Sequence, residues 1–166
     1  MKLTLPGTRR IEGGEIELDG ITVLCGCDNT ANREVCEQIM TVVGGAFITP
    51  MFYLDWFCKT MKAKERPPIV GWLYPEEREH PKRQVEIAKT ICRRCCRPES
   101  RVVLVTHSVY VLRAIEVFSE RCGIQKRCHY YKTEPVEGKK NVFRLRNVDG
   151  ETNLIYYDFY TPLEEL

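Results

Sequence analysis

ITVLCGCDNTANREV, from Ile21 to Val35, reads as a buried strand, a tight turn and then a helix. The strand is Ile21 to Cys25, and the helix, expected over about Arg33 to Val43, puts Val35, Cys36, Ile39, Met40 and Val43 on one face before Gly44-Gly45 stops it. Backbone N–H groups of such a turn and of the first helical turn converge on one spot, where they favour an anion. A phosphate-binding loop in that place needs Gly, four residues, Gly-Lys, then Ser or Thr. Gly26 is correctly placed, but Ala31, Asn32 and Arg33 occupy the later positions. The scaffold of a nucleotide site is legible, with the residues that handle phosphate and magnesium replaced.

Upstream, Lys2 to Leu5 and Glu15 to Leu18 read as short antiparallel strands, the second leading through Asp19-Gly20 into the apolar strand. Downstream, the aromatic-rich Phe47 to Met61 places Phe52, Trp56 and Phe57 on the buried side of a helix opened near Thr49-Pro50, an exposed interaction face being the alternative. Lys62 to Pro68 reads as a surface connection, Ile69 to Tyr74 as a central strand and Pro75 to His80 as a polar loop. Pro81 to about Cys96 is helical, with Val85, Ala88, Ile91, Cys92 and Cys95 inward and Lys82, Arg83, Glu86, Lys89 and Arg93 outward. Val102 to Val105 is a buried strand, and Ser108 to about Cys122 a helix with Val111, Leu112, Ile115 and Phe118 inward. Alternating strands and helices imply parallel pairing with both faces covered. His129 to Thr133, Val142 to Leu145 and Leu154 to Tyr157 read as a closing meander, in which Tyr130-Tyr131 and Tyr156-Tyr157 alternate so that half of them face the core. The fold class is α/β, a P-loop NTPase-like mixed sheet with parallel core strands flanked by helices and antiparallel strands at the start and the end.

The 166 residues suit a single domain. With 25 basic and 23 acidic residues spread along the chain, nucleic acid is not the default partner. No apolar run approaches the roughly 20 residues of a membrane span, so a cytoplasmic protein is expected. Nine cysteines invite a disulfide or zinc reading, but Cys25, Cys27, Cys36 and Cys58 lie in or beside apolar segments, where thiols act as small hydrophobes. Cys92, Cys95, Cys96, Cys122, Cys128 and His129 form the one cluster to weigh for metal, and it lacks two clear gapped pairs. Buried or surface thiols are the expectation. Cys25 or Cys27 as a low-pKa nucleophile is a further alternative, without a base that can be placed beside it.

With these pieces placed, the chain resembles the ABC-type ATPase domain of the RecF, SMC and OLD-like group, AAA ATPases often seen in bacterial defence and mobile elements. The resemblance runs through MKLTLPGTRRIEGGEIELDGITVLCGCDNT at the start, EEREHPKRQVEIAKTI in the middle, RVVLVTHSVYVLRAIEVF with a switch-type His107, and NLIYYDFYTPLEEL at the close. It implies one degenerate domain over residues 1–166: N-terminal strands over 1–25, a relic phosphate loop and helices over 26–62, a relic Walker B to switch-histidine region over 63–122 and C-terminal strands over 123–166. Aligning His80-Pro81 with the family's His-Pro puts Leu73 and Tyr74 where the magnesium aspartate and the catalytic glutamate belong, while Pro75 and Glu76 keep the family pattern. The family's signature lobe is missing as well, fewer than about 40 residues separating Arg33 from Ile69.

The resemblance makes Gly26, Asp28, Asn29, Thr30, Ala31, Asn32 and Arg33 a relic nucleotide loop, and implies that Leu73, Tyr74, Glu76 and His107 are a relic of the hydrolytic strand and switch. Asp28-Asn29-Thr30 fits an ordinary turn with an N-cap side chain, or a remnant that accepts a weak anion. Arg33 is expected at the surface, a phosphate contact being the alternative. Glu76, Glu77 and Glu79 with Arg78 look like a solvated charged loop, and His107 like a polar residue held by a backbone partner. The expectation is an inactive pseudo-ATPase without catalytic residues, metal or cofactor that binds another protein, an intact ABC-type ATPase or its effector. Weak, magnesium-independent binding of ATP or ADP is the alternative.

Overall fold

A computed structural model describes residues 1–26, 28–48 and 69–164. The readings made at Cys27, on the Phe52, Trp56 and Phe57 helix, at Cys58 and on the Lys62 to Pro68 connection lie outside them. Two strands, β1 (Lys2–Leu5) and β2 (Gly14–Glu17), form the antiparallel ribbon the opening residues predict, with Leu3 opposite Ile16. Six more form the main sheet: β3 (Ile21–Gly26), β4 (Ala46–Ile48), β5 (Ile69–Leu73), β6 (Arg101–Val105), β7 (Cys128–Pro135) and β8 (Phe143–Asn147). Their order is β4-β5-β6-β3-β7-β8, parallel throughout except for β7 against β8. The described helices are α1 (Asn29–Val43), α2 (Pro81–Cys95), α3 (Val109–Arg121) and α4 (Asn153–Glu164). This is the mixed, P-loop-like α/β arrangement that the alternation of apolar runs and helical patterns predicts.

Alternation along each strand divides the core in two. Leu24, Leu73, Val103, Val105 and Tyr131 pack with Val35 and Ile39 of α1 and with Leu5 and Ile16 of the ribbon. Val23, Cys25, Trp72, Leu104 and Tyr130 pack with Ile91 of α2, Ile115 of α3 and Ile155 of α4 on the opposite face. Burying each large apolar side chain contributes roughly 1.5–3 kcal/mol, so a sheet covered on both sides explains near-continuous apolar strands. It also explains why Tyr130 and Tyr131 are both buried, at 7% and 4% exposure, although they point to opposite faces.

Three sequence-based expectations are corrected. Helix α1 starts at Asn29 rather than near Arg33, because Asp28 caps it. Phe47, at the start of the aromatic-rich stretch and before the expected helix opening near Thr49-Pro50, lies in β4, paired with Gly71 of β5. The tail is no separate meander, since β7 is a core strand running parallel to β3. Leu154 to Tyr157 is helix, not strand: the apolar run Leu-Ile-Tyr-Tyr fits either period locally, and helical spacing puts Ile155 into the α2–α3 core while Tyr157 stays exposed at 62%.

Candidate functional site

Strands β3 and β6 are neighbours, yet the chain leaves β3 for α1 on one face and β6 for α3 on the other. Such a divergence opens a crevice beyond the carboxyl ends of the strands, the usual place for a ligand in an open α/β sheet. Gly26, Asp28 to Arg33, Tyr74, Glu76 and His107 all lie at or just after the carboxyl ends of β3, β5 and β6.

On the β3 side the crevice is filled by the protein itself. Asp28, extended at φ −115 and ψ 103, accepts the Ala31 N–H through Oδ1 at 2.7 Å, so a carboxylate of the chain occupies the anion-favouring end of α1. The Arg10 guanidinium lies 3.2 Å from Asp28 Oδ2 and neutralises it. The turn is the capped one of the two readings. Gly26 has φ +134, and a Cβ there would lie 2.6 Å from the Thr133 carbonyl oxygen and closer still to its hydroxyl, so only glycine fits. Asn32, at the lysine position of the phosphate-loop pattern, is 1% exposed. Its Oδ1 accepts the Thr133 hydroxyl at 2.8 Å and its Nδ2 donates to Gly26 O at 3.4 Å, stitching α1 to β7 and β3.

Ala31 is buried against β3, and Thr30 is exposed. Arg33 projects to the surface and pairs with Glu37 at 2.7 Å, as expected for an exposed helix position. With Asn29, Glu34, Glu37 and Tyr74 it borders an open depression of about 650 Å³. Two carboxylates against one arginine make this a poor seat for a triphosphate.

On the β5 and β6 side, Leu73 is buried in the α1-facing core and cannot hold magnesium. Tyr74 turns the chain at φ +49, and its hydroxyl donates to Asn29 O at 2.7 Å, bracing the start of α1. Burial raises its phenol to about 12, so it stays a neutral donor at physiological pH. Its ring lies 5.4 Å from that of His107.

Glu76 is the main correction: it is buried at 6% exposure rather than solvated. Left-handed backbone at Tyr74 and Arg78, with Glu77 N–H donating to Tyr74 O and Glu79 N–H to Glu76 O, folds the loop so that Glu76 points inward and Glu77 and Arg78 outward. Glu76 Oε1 accepts the His107 backbone N–H at 2.8 Å and lies 3.3 Å from His107 Nδ1; Oε2 is buried without a hydrogen-bond partner. Desolvation therefore raises its carboxyl above the usual range, opposed by the His107 backbone and ring and by the Thr106 hydroxyl. His107 is held by this carboxylate, not by a backbone carbonyl, and half of its side chain faces solvent.

Ser108 caps α3, accepting the N–H groups of Tyr110 and Val111, and donates to Gln84 Oε1, whose amide donates in turn to Glu79 O at 2.8 Å. Gln84 was not singled out, although its spacing to Ala88 and Ile91 marks a polar residue on an apolar stripe. Arg10 and Thr133 carry no local signal, because their partners lie far away along the chain.

Five of the described cysteines, Cys25, Cys36, Cys92, Cys95 and Cys128, are buried. Cys25 is fully buried in β3 and its thiol is pushed far up by desolvation, which removes the low-pKa nucleophile reading for it. Burial lifts Cys36 and Cys95 to about 12 and Cys128 to about 11, and Cys92 is pushed further still. Cys96 is exposed while Cys92, one turn earlier, is buried, and His129 Nδ1 lies 2.8 Å from Asp149 Oδ2. Among the described residues, no group of three or more His, Cys, Asp or Glu side chains is placed to hold a metal ion. No described helix is long and apolar enough to cross a membrane. Compared with known proteins, the chain matches no protein-family model and no curated sequence.

Proposed function

We propose that this chain is a pseudo-ATPase domain, derived from the ABC-type RecF, SMC and OLD-like group, that works by binding another protein. The observation that carries the reading is the Asp28 carboxylate at the N-terminus of α1, paired with Arg10, where a nucleotide phosphate would have to sit. Asn32 is turned inward, and Leu73 and Tyr74 stand where the resemblance puts the magnesium ligand and the base. Phosphoryl transfer rests on positioning and charge stabilisation, and losing one such contact costs about 3 kcal/mol, or at least 10²-fold in rate. Lysine, magnesium hydroxyl, metal aspartate and base are all absent, so hydrolysis is not expected. These residues do not fit a magnesium nucleotide. The same packing disfavours the alternative, a regulator that holds ATP or ADP without hydrolysis.

The partner class follows from the resemblance: an intact ATPase of this group, or the effector that such an ATPase holds. The test has two arms. Titration calorimetry of the purified chain with ATP and ADP, with and without magnesium, is expected to show no heat at millimolar ligand; tight binding or phosphate release would overturn the reading. Affinity capture of the tagged chain from its own cells, with mass spectrometry, is expected to recover an intact ATPase of the group or its effector; recovery of the chain alone would remove the protein-binding part.

A further inference from the structure

Away from the crevice, an open groove of about 670 Å³ runs along the outer side of α3 toward α4. Its apolar wall is Val85 of α2, Val109, Ala114 and Val117 of α3, and Tyr156 and Tyr160 of α4. Tyr110 and Tyr160, which also line it, are 52% and 49% exposed, high for large aromatic side chains. The charges on this lining have one sign: Arg113 and Arg121, with no carboxylate. Arg121 lies over the Phe118 ring at 5.5 Å and Lys89, itself 3.6 Å from Glu86 Oε1, over the same ring at 5.7 Å, so two cations flank one aromatic side chain beside the groove. Just off this lining, Glu116 Oε2 accepts both Arg113 Nη1 at 2.9 Å and the Tyr156 hydroxyl at 2.8 Å, an ion pair that leaves the Arg113 side chain 70% exposed. Tyrosine and arginine around an aliphatic floor are the residues on which binding energy usually concentrates.

We propose that this α3–α4 groove receives an acidic amphipathic helix of the partner protein, its apolar face on Ala114 and Val117 and its carboxylates on Arg113 and Arg121. Charge complementarity selects this occupant: an apolar floor with a cationic rim repels a basic helix and attracts an acidic one. The proposal rests on the protein-binding reading above and adds to it a location and a chemistry.

The probe is a pair of fluorescent helical peptides with identical leucine faces, one flanked by glutamates and one by lysines, titrated by anisotropy against the full chain. The glutamate peptide is expected to bind at least about tenfold more tightly, with a preference that shrinks as salt rises. A double charge reversal, Arg113→Glu with Arg121→Glu, should invert the order, which a merely destabilising change would not do. Val117→Lys should weaken both peptides. Equal binding of the two peptides, or an order unmoved by the reversal, overturns the proposal. Self-association abolished by Val117→Lys overturns it too, a second copy then being the occupant. A cellular partner still captured by the doubly reversed chain would place that partner on another face, leaving the protein-binding reading intact. Capture lost with the reversal and kept with Arg83→Glu, outside the groove, supports it.

Discussion

The turn from β3 into α1 and the turn from β6 into α3 are built alike, each a buried parallel strand leading to a helix capped by its own first side chain, Asp28 in one and Ser108 in the other. They end in different chemistry. The first is closed: Arg10 lies on Asp28, Thr133 fills the space beside Gly26, and Tyr74 braces Asn29. The second leaves His107 half exposed above a cavity of about 600 Å³ that Glu76 and Gln84 also line. A strand–turn–helix end is therefore only an opportunity for a site, and the groups that reach it from distant elements decide its use.

Closure makes the first turn the more sensitive to substitution. Gly26→Ala combines a left-handed backbone with a collision against Thr133 main chain, and should cost about 3 kcal/mol or more, read as a lowered urea midpoint. A loss below about 1 kcal/mol would mean that the two turns are equally tolerant. Asn32→Ala removes the side-chain donor to Gly26 O and leaves the Thr133 hydroxyl only the longer bond to Cys25 O at 3.3 Å, and should cost about 2 kcal/mol in the same measurement.

Removing the two caps sharpens the contrast. Asp28→Ala and Ser108→Ala should each cost about 1 kcal/mol. Phosphate at tens of millimolar should restore part of the loss only in Asp28→Ala, because Arg10 stands at that helix end while Glu76 stands at the other. Equal rescue of both variants would show that the carboxylate is not what keeps anions out.

The smallest effect concerns pH at the second turn. The Glu76 carboxyl is raised above its ordinary 4.5 in the folded chain, so the folded state keeps a proton that the unfolded state releases. Stability contributed by this group therefore rises as pH falls through the raised value toward 4.5, and is absent at higher pH. Glu76→Gln keeps an acceptor for the His107 N–H and removes this titration, so the difference between wild type and variant in chemical denaturation should vary with pH over that window. A pH-independent difference would mean that Glu76 has an ordinary carboxyl in the fold.

Legibility in the sequence followed the range of the forces involved. Periodicity located β5, β6, α2 and α3 because their burial is local and repeating, and Asp28 was readable as a cap because a cap bonds its own helix. Leu154 to Tyr157 was misread where the two periods coincide, and Glu76 where two left-handed residues turned a charged loop inward. Nothing adjacent in the chain foretold that Thr133 would meet Asn32 or that Arg10 would reach Asp28.

By itself, then, the order of residues determined the alternation of strands and helices and their parallel pairing, since both are written in residue type and spacing. Only the tertiary structure decided that the anion seat is taken by Asp28, that Glu76 is buried against His107 and that a cationic apolar groove is left open on α3. The reason is physical: which groups lose water, and which charges meet, depends on surfaces brought together from distant parts of the chain.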